Sequence, residues 1–281
     1  MLFLWLWKII HPMKLNFFFD IDGTLSPVGK SVPESAMAAL LKAKGLGHRL
    51  FFCTGRSQNE LTEEMNSLPF DGGVFSAGAG LILEGKTIAQ KVMTEEQKRF
   101  LAKITEEYKL LLLNQGLDGS YLTHESLAYY RELDSMIHMS PISLNGFKIV
   151  DKDPFDIPII KSFIMSREGR ILEARKALEG PFHSVNNTTG LPETCAAELM
   201  VAGVTKASGI RELVEYLGDD MASTVGIGDG ENDLEMIDVC NLGIAMGNSC
   251  DILKQHSDYI TTDIEKDGLA KAIDYALERL S

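Results

Sequence analysis

Extended basic runs, paired cysteines and long apolar stretches are all missing from this sequence, and each absence removes a class of function. Lys and Arg number 27 against 40 Asp and Glu, a formal net charge of −13. Nucleic-acid or anionic-membrane binding rests on basic patches that neutralise phosphates, so neither partner is expected. The four cysteines, Cys53, Cys195, Cys240 and Cys250, show no paired metal-ligand spacing and are too few for a disulfide framework in 281 residues. Reduced thiols in the cytoplasm are the expectation. Leu2 to Trp7 with Ile9 and Ile10 is apolar and rich in aromatics, yet too short to span a bilayer. It also lacks the basic leader and small-residue cleavage site of a signal peptide. Met13, which leads through Lys14 and Leu15 into an apolar run, is the expected natural start, with no stable membrane insertion; a weak interfacial anchor is the alternative.

What remains is the composition of an ordinary globular protein, 45% hydrophobic and 24% charged. Phe17, Phe18 and Phe19 lead into Asp20-Ile21-Asp22-Gly23-Thr24-Leu25, which reads as a buried strand ending in a turn. Side chains two apart on a strand share a side, so Asp20 and Asp22 leave the sheet together. Two carboxylates aimed at one spot repel unless a cation or a shared proton offsets them. A helix is predicted from about Pro33, a strand over Arg49 to Cys53, a helix from about Ser57 and a strand from Val74. The rhythm returns late in the chain, with strands at Thr224 to Ile227, Leu242 to Ala245 and Tyr259 to Thr261 and helices at Glu231 to Val239 and Lys266 to Leu280. Such alternation predicts an α/β fold, a doubly wound parallel sheet. Between the halves the character is mixed α+β, with helices around Thr94 to Tyr108 and Arg167 to Leu178, strands at Leu110 to Leu113 and Ile157 to Met165, and punctuation at Pro141, Pro154 and Pro158. The expected organisation is a discontinuous core, 13–84 and 190–281, with an inserted domain at 85–189.

Ligands of open parallel sheets bind beyond the carboxyl ends of the strands. Four segments put reactive residues there or at a helix start: Asp20 and Asp22; Thr54, Gly55 and Arg56; Lys206; and Asp229, Gly230, Glu231, Asn232 and Asp233. Together they offer carboxylates for a hard cation, a hydroxyl and backbone donors for an anion, and a Lys charge, a set suited to phosphate chemistry. In motif and order the chain resembles the haloacid dehalogenase superfamily, specifically its Cof-type phosphatases, which carry a cap between their second and third motifs. Asp20 to Leu25 matches the first motif, Thr54-Gly55-Arg56 the second, Lys206 in Gly203-Val204-Thr205-Lys206 the third and Gly228 to Asp233 the fourth. The resemblance continues through Gly243 to Asn248 and Asp258 to Thr261.

The resemblance implies a HAD-like core with an inserted α/β cap, and a phosphatase in which Asp20 attacks phosphorus to form an aspartyl phosphate and Asp22 is general acid and base. It further implies a magnesium ion held by Asp20, the backbone carbonyl of Asp22 and Asp229. Lys206, the Thr54 hydroxyl and the N–H groups of Ile21, Asp22 and Gly55 would hold the transferring oxygens. Asn232 and Asp233 would orient metal-bound waters or Lys206, with Asp233 as a plain helix-start acid the alternative. Arg56 has two readings, a substrate or cap contact and an ion pair with a core acid. His124, His138 and His183 read as surface or packing residues, Cys53 as a buried strand residue, and Gly78 and Gly80 as a tight turn. Relatives usually carry Asn-Gly where this chain has Ala77-Gly78. The expected substrate is a small phosphorylated metabolite, a sugar phosphate first, with no expectation on oligomeric state; a phosphomannomutase-like phosphomutase and a phosphoacceptor signalling module are the alternatives.

Overall fold

The computed structural model describes residues 13–27, 29–116, 119–137, 147–150, 154–186 and 191–280. The reading of residues 1–12 as foreign to the native protein, and those of His138 and Pro141, lie outside the described residues. The aromatic run forms β1 (Asn16–Phe19), buried along its whole length. Ala36, Ala39, Leu40 and Ala43 recur at helical spacing and are the buried face of α1 (Glu34–Gly45). The chain turns back at Gly47 into β2 (Arg49–Cys53). Instead of one helix after Ser57 there are two short pieces, a 3-10 turn at Gln58–Glu60 and α2 (Glu63–Asn66), because Leu61 is extended and Thr62 caps a fresh start. β3 (Gly72–Phe75), β4 (Gly80–Leu83) and β5 (Lys86–Gln90) follow.

The middle of the chain runs α3 (Glu95–Tyr108), β6 (Leu111–Gly116), β7 (Ser120–Leu122), α4 (His124–Ile137), β8 (Phe147–Ile149), β9 (Ile159–Met165), α5 (Ile171–Leu178), β10 (Phe182–Asn186) and β11 (Ala196–Val201). It is followed by α6 (Lys206–Leu217), β12 (Thr224–Gly228), α7 (Leu234–Val239), β13 (Leu242–Ala245), α8 (Asp251–His256), β14 (Tyr259–Ile260) and α9 (Gly268–Leu280). Among the described residues no helix is long and apolar enough to cross a membrane.

The chain divides into two compact units, one formed by 1–90 with 205–281 and the other by 91–204. In the first, eight strands lie in the order β14-β13-β12-β1-β2-β3-β4-β5. Every pair from β14 to β3 is parallel, while β4 and β5 are an antiparallel edge. Successive residues of β1 feed opposite layers. Phe17 and Phe19 pack with α1 and α9 residues such as Leu40 and Ile273, while Phe18 packs with Phe51 and with Ile210 and Leu213 of α6. Each fully buried Phe contributes about 1.5–3 kcal/mol of transfer free energy, so the aromatic run anchors the sheet from both sides. The order reverses at β1, whose neighbours are β12 and β2, and a reversal of that kind opens a crevice at the carboxyl ends of the strands.

In the second unit six strands lie in the order β10-β11-β9-β6-β7-β8, antiparallel except for the β7–β8 pair. Leu101 and Ile104 of α3 and Ile171 and Leu178 of α5 form one apolar layer, and Tyr129, Tyr130 and Leu133 of α4 another. The units part at 90/91 and 204/205, where the sequence suggested 84/85 and 189/190. Strand pairing accounts for the difference: residues 86–90 extend the first sheet through β4, and β11 lies between β10 and β9 in the second.

Candidate active site

Asp20 is the first residue beyond β1, and its N–H donates to the Ile227 carbonyl of β12 at 3.0 Å. That bond seats it between two parallel strands with its side chain almost wholly buried. The turn after it is tied by the Ile21 carbonyl, which accepts the N–H groups of Thr24, Leu25 and Ser26. Gly23 takes φ +86, and a Cβ there would sit 2.3 Å from an Asp229 carboxylate oxygen. Only glycine fits that approach. Asp229 and Gly230 follow β12, and the Asp233 carboxylate folds back to accept both of their N–H groups at 3.0 Å.

Lys206 opens α6. Thr205 caps that helix, its hydroxyl accepting the Ser208 N–H at 3.2 Å while the Ser208 hydroxyl accepts the Thr205 N–H at 2.9 Å. The ammonium of Lys206 is buried and donates to Asp20 Oδ1 at 2.7 Å and to Asp233 Oδ1. Burial by itself would lower the affinity of Lys206 for its proton, but the carboxylates of Asp20 and Asp233 outweigh it and hold the group above its ordinary value. Burial, then the Asp233 charge, pushes the Asp20 carboxyl up to about 8. The same two causes push Asp229 up to about 6, even though the Thr24 hydroxyl donates to it at 2.9 Å.

Asp20, Asp229 and Asp233 each offer an oxygen within 4.8 Å of the others. Both oxygens of Asp233 are already engaged, by Lys206 and by two N–H groups. Asp233 is therefore the residue that orients Lys206 and closes the 229–230 turn, and Asp20 and Asp229 are the carboxylates left to face a cation. The carboxylate of Asp22 stands outside this cluster, in a two-pronged ion pair with Arg56, whose Nε donates to one oxygen at 2.9 Å and whose Nη2 donates to the other. Of the two readings of Arg56, this geometry is the ion pair with an acid.

Thr54 lies just past β2, buried, with its N–H on the Val74 carbonyl and its hydroxyl accepting the Arg56 N–H at 3.1 Å. Gly55 occupies the same turn. A second turn braces it: Ser76 and Ala77 take φ 49 and φ 54, and their N–H groups donate to the Arg56 and Thr54 carbonyls. Gly78, at φ +107, completes that turn against α6; a Cβ there would lie 2.0 Å from the Thr205 carbonyl. Asn232 is exposed, and among the described residues no hydrogen bond of its side chain is seen. Cys53 is buried at the end of β2, where desolvation pushes its thiol well above the ordinary range. The structure thus brings Asp20, Asp229, Asp233 and Lys206 together, sets Asp22 with Arg56 beside them, and gives Thr24 a contact that spacing alone did not single out. Its signal was its place within Asp-x-Asp-Gly-Thr.

A family model described as haloacid dehalogenase-like hydrolase matches residues 17–273. YkrA of Bacillus subtilis (strain 168), provisionally designated a phosphatase, is 27% identical over 256 residues, covering 91% of this chain and 95% of its own. The 5-amino-6-(5-phospho-D-ribitylamino)uracil phosphatase YitU of the same organism is 23% identical over 271 residues, covering 90% and 93%. Among solved structures, the HAD subclass IIB sugar phosphatase BT4131 shares the fold, with a TM-score of 0.76 at 22% identity over 93% of this chain and 98% of that one. With the match spanning both halves of the parallel sheet and the segment between them, the chain belongs to the haloacid dehalogenase-like hydrolase family and is a phosphatase, a phosphoric monoester hydrolase, within it.

Proposed function

We propose that the protein is a cytoplasmic, magnesium-dependent phosphatase that hydrolyses a small phosphorylated metabolite, a sugar phosphate or a related polyol phosphate, through an aspartyl phosphate on Asp20. The observation that carries this reading is the buried cluster in which Lys206 is the ion-pair partner of both Asp20 and Asp233 while Asp229 stands within reach of both carboxylates. Three carboxylates with one ammonium leave an excess of negative charge in a buried place, and burial first, then the Asp233 charge, raises the Asp20 and Asp229 carboxyls. Hard oxygen donors with unneutralised charge suit a hard divalent cation, so the residues fit magnesium. Asp20, Asp229 and the backbone carbonyl of Asp22 would hold it, and bound there it supplies the positive charge that lets an anionic nucleophile meet an anionic phosphate.

The remaining chemistry belongs to the chain. An Asp20 oxygen attacks phosphorus, the bond to the leaving oxygen breaks, and Asp22 gives that oxygen its proton. Water then attacks the phosphorus of the aspartyl phosphate, Asp22 takes a proton from it, and inorganic phosphate leaves with Asp20 restored. Lys206, the Thr54 hydroxyl and the N–H groups of Ile21, Asp22 and Gly55 stabilise the charge on the transferring oxygens, and Asn232 serves the same phosphoryl group from the rim. Arg56 takes part as the holder of Asp22. When Asp22 carries its proton, one of its two oxygens becomes a donor, so one prong of the pair loosens while the other oxygen still accepts from Arg56. Support for a polyol or sugar leaving group comes from the phosphoribityl compound in the name of YitU and the sugar phosphatase BT4131.

Phosphate release from a panel of sugar, polyol, nucleotide, flavin and pyridoxal phosphates, with and without magnesium, tests the proposal. Release should require the metal, and Asp20→Asn should lower it at least about 1000-fold, as expected when a covalent nucleophile is removed. Undiminished release in that variant would eliminate the aspartyl-phosphate route.

A further inference from the structure

The five residues after β13, Met246 to Cys250, run between the two loops that carry Asp22 and Asp229. Three of their donors serve the Asp229 side. The Met246 N–H donates to the Gly228 carbonyl at 3.0 Å, the Ser249 hydroxyl to the same carbonyl at 3.3 Å, and the Cys250 N–H to the Asp229 carbonyl at 3.1 Å. Asn248 reaches the other loop, its Nδ2 donating to the Gly23 carbonyl at 2.8 Å. Its Oδ1 accepts the Ile264 N–H at 3.0 Å. Because only the amide oxygen can accept, that second bond decides which end of the amide faces Gly23.

Gly23 has no slack in this arrangement, since its α-carbon already abuts the Asp229 carboxylate. Two polar links therefore span from the Asp22–Gly23–Thr24 turn to the β12–β13 side: the Thr24 hydroxyl on Asp229 and the Asn248 amide on Gly23. We propose that Asn248 is a positioning residue for a divalent cation, holding the Gly23 carbonyl, and with it the whole turn, at the spacing from Asp229 that the cation needs. The inference rests on the magnesium reading above and adds to it a residue that contacts neither metal nor phosphate. Its own side chain is exposed, but Ile264, whose N–H it accepts, is buried, so removing the amide also costs the stability of one hydrogen bond.

The test is isothermal titration calorimetry of magnesium into the metal-free, full-length protein and its Asn248→Ala and Asn248→Asp variants, with thermal unfolding recorded on each. Asn66→Ala, which removes another exposed amide-to-carbonyl bond far along the chain, is the control. Asn248→Ala should weaken magnesium binding about five-fold, the scale of one hydrogen bond, with the melting temperature of the metal-free protein lowered by no more than about 5 °C through the loss of the Ile264 acceptor. Asn248→Asp keeps the acceptor for Ile264 but sets an oxygen against the Gly23 carbonyl. Its added charge would by itself tighten cation binding, so weakened binding in this variant reports the lost donor. Wild-type affinity or better in Asn248→Ala, or a metal-free melting temperature lowered by more than about 5 °C, would overturn the positioning role. A wild-type protein that binds no magnesium would instead remove the cation reading on which the inference stands.

Discussion

The carboxyls of Asp20 and Asp229, raised to about 8 and about 6 from an ordinary 3.8, tie stability to pH in the metal-free protein. The folded state keeps protons there that the unfolded chain has released. These two groups therefore contribute stability that is fully present below about pH 4 and is lost as pH rises through their folded values. Lys206 has a linkage of the same sign, since its value too is raised on folding, but any loss it causes lies above its ordinary 10.5, outside this window. In chelator the melting temperature should fall between pH 5 and 8, and magnesium should stabilise more at pH 8 than at pH 5. Scanning calorimetry of wild type beside the double variant Asp20→Asn, Asp229→Asn checks this; an equally steep fall in the variant would assign the pH dependence elsewhere. At the same scale, Asp233 shows why roles are harder to read than positions. Acids are favoured at helix starts for their own sake, and only the fold shows that this one spends both oxygens on Lys206 and two backbone N–H groups.

Among the elements, the turn at 76–78 shows how one tight approach places the buried lysine of the candidate site. Gly78 packs its α-carbon against the Thr205 carbonyl, and Thr205 caps the helix that Lys206 begins. Gly78→Ala would introduce a Cβ 2.0 Å from that carbonyl at φ +107. The cost should be about 3 kcal/mol or more, seen as a lower urea midpoint, with activity falling as the start of α6 shifts; a wild-type midpoint would show that the turn has room to move. The core elements were legible because apolar runs such as Phe17 to Phe19 and Thr224 to Ile227 stop abruptly at acids or at Gly-containing turns. The insert was less so. The helix at His124–Ile137 mixes Tyr129, Tyr130 and Leu133 with charged neighbours, and strands of three residues such as Ser120–Leu122 are too short to show alternation. Ala196–Val201, for which the sequence pattern predicts no element, is a strand whose sheet is decided by partners at Phe182–Asn186 and Ile159–Met165 that spacing does not reveal.

For the molecule as a whole, the sheet that carries the site is assembled from two distant lengths of chain, while residues 91–204 have apolar layers of their own. A chain ending at residue 204 would lack β12, and β1 would keep β2 as its only neighbour. Limited proteolysis of that truncated protein should degrade residues 13–90 quickly and leave a resistant fragment beginning near residue 91. Protection of both regions alike would mean that the first half-sheet is stable without its partner. The pairing of β1 with β12 also sets a schedule for the nascent protein. Thr24 and Asp229, joined by one hydrogen bond, are 205 residues apart, which at about 5–20 residues per second of synthesis is roughly 10–40 s. Through that interval one edge of the strand that carries Phe17 to Phe19 waits without its mate, so an apolar, unpaired edge is open to misassembly during translation itself, before any finished contact can protect it.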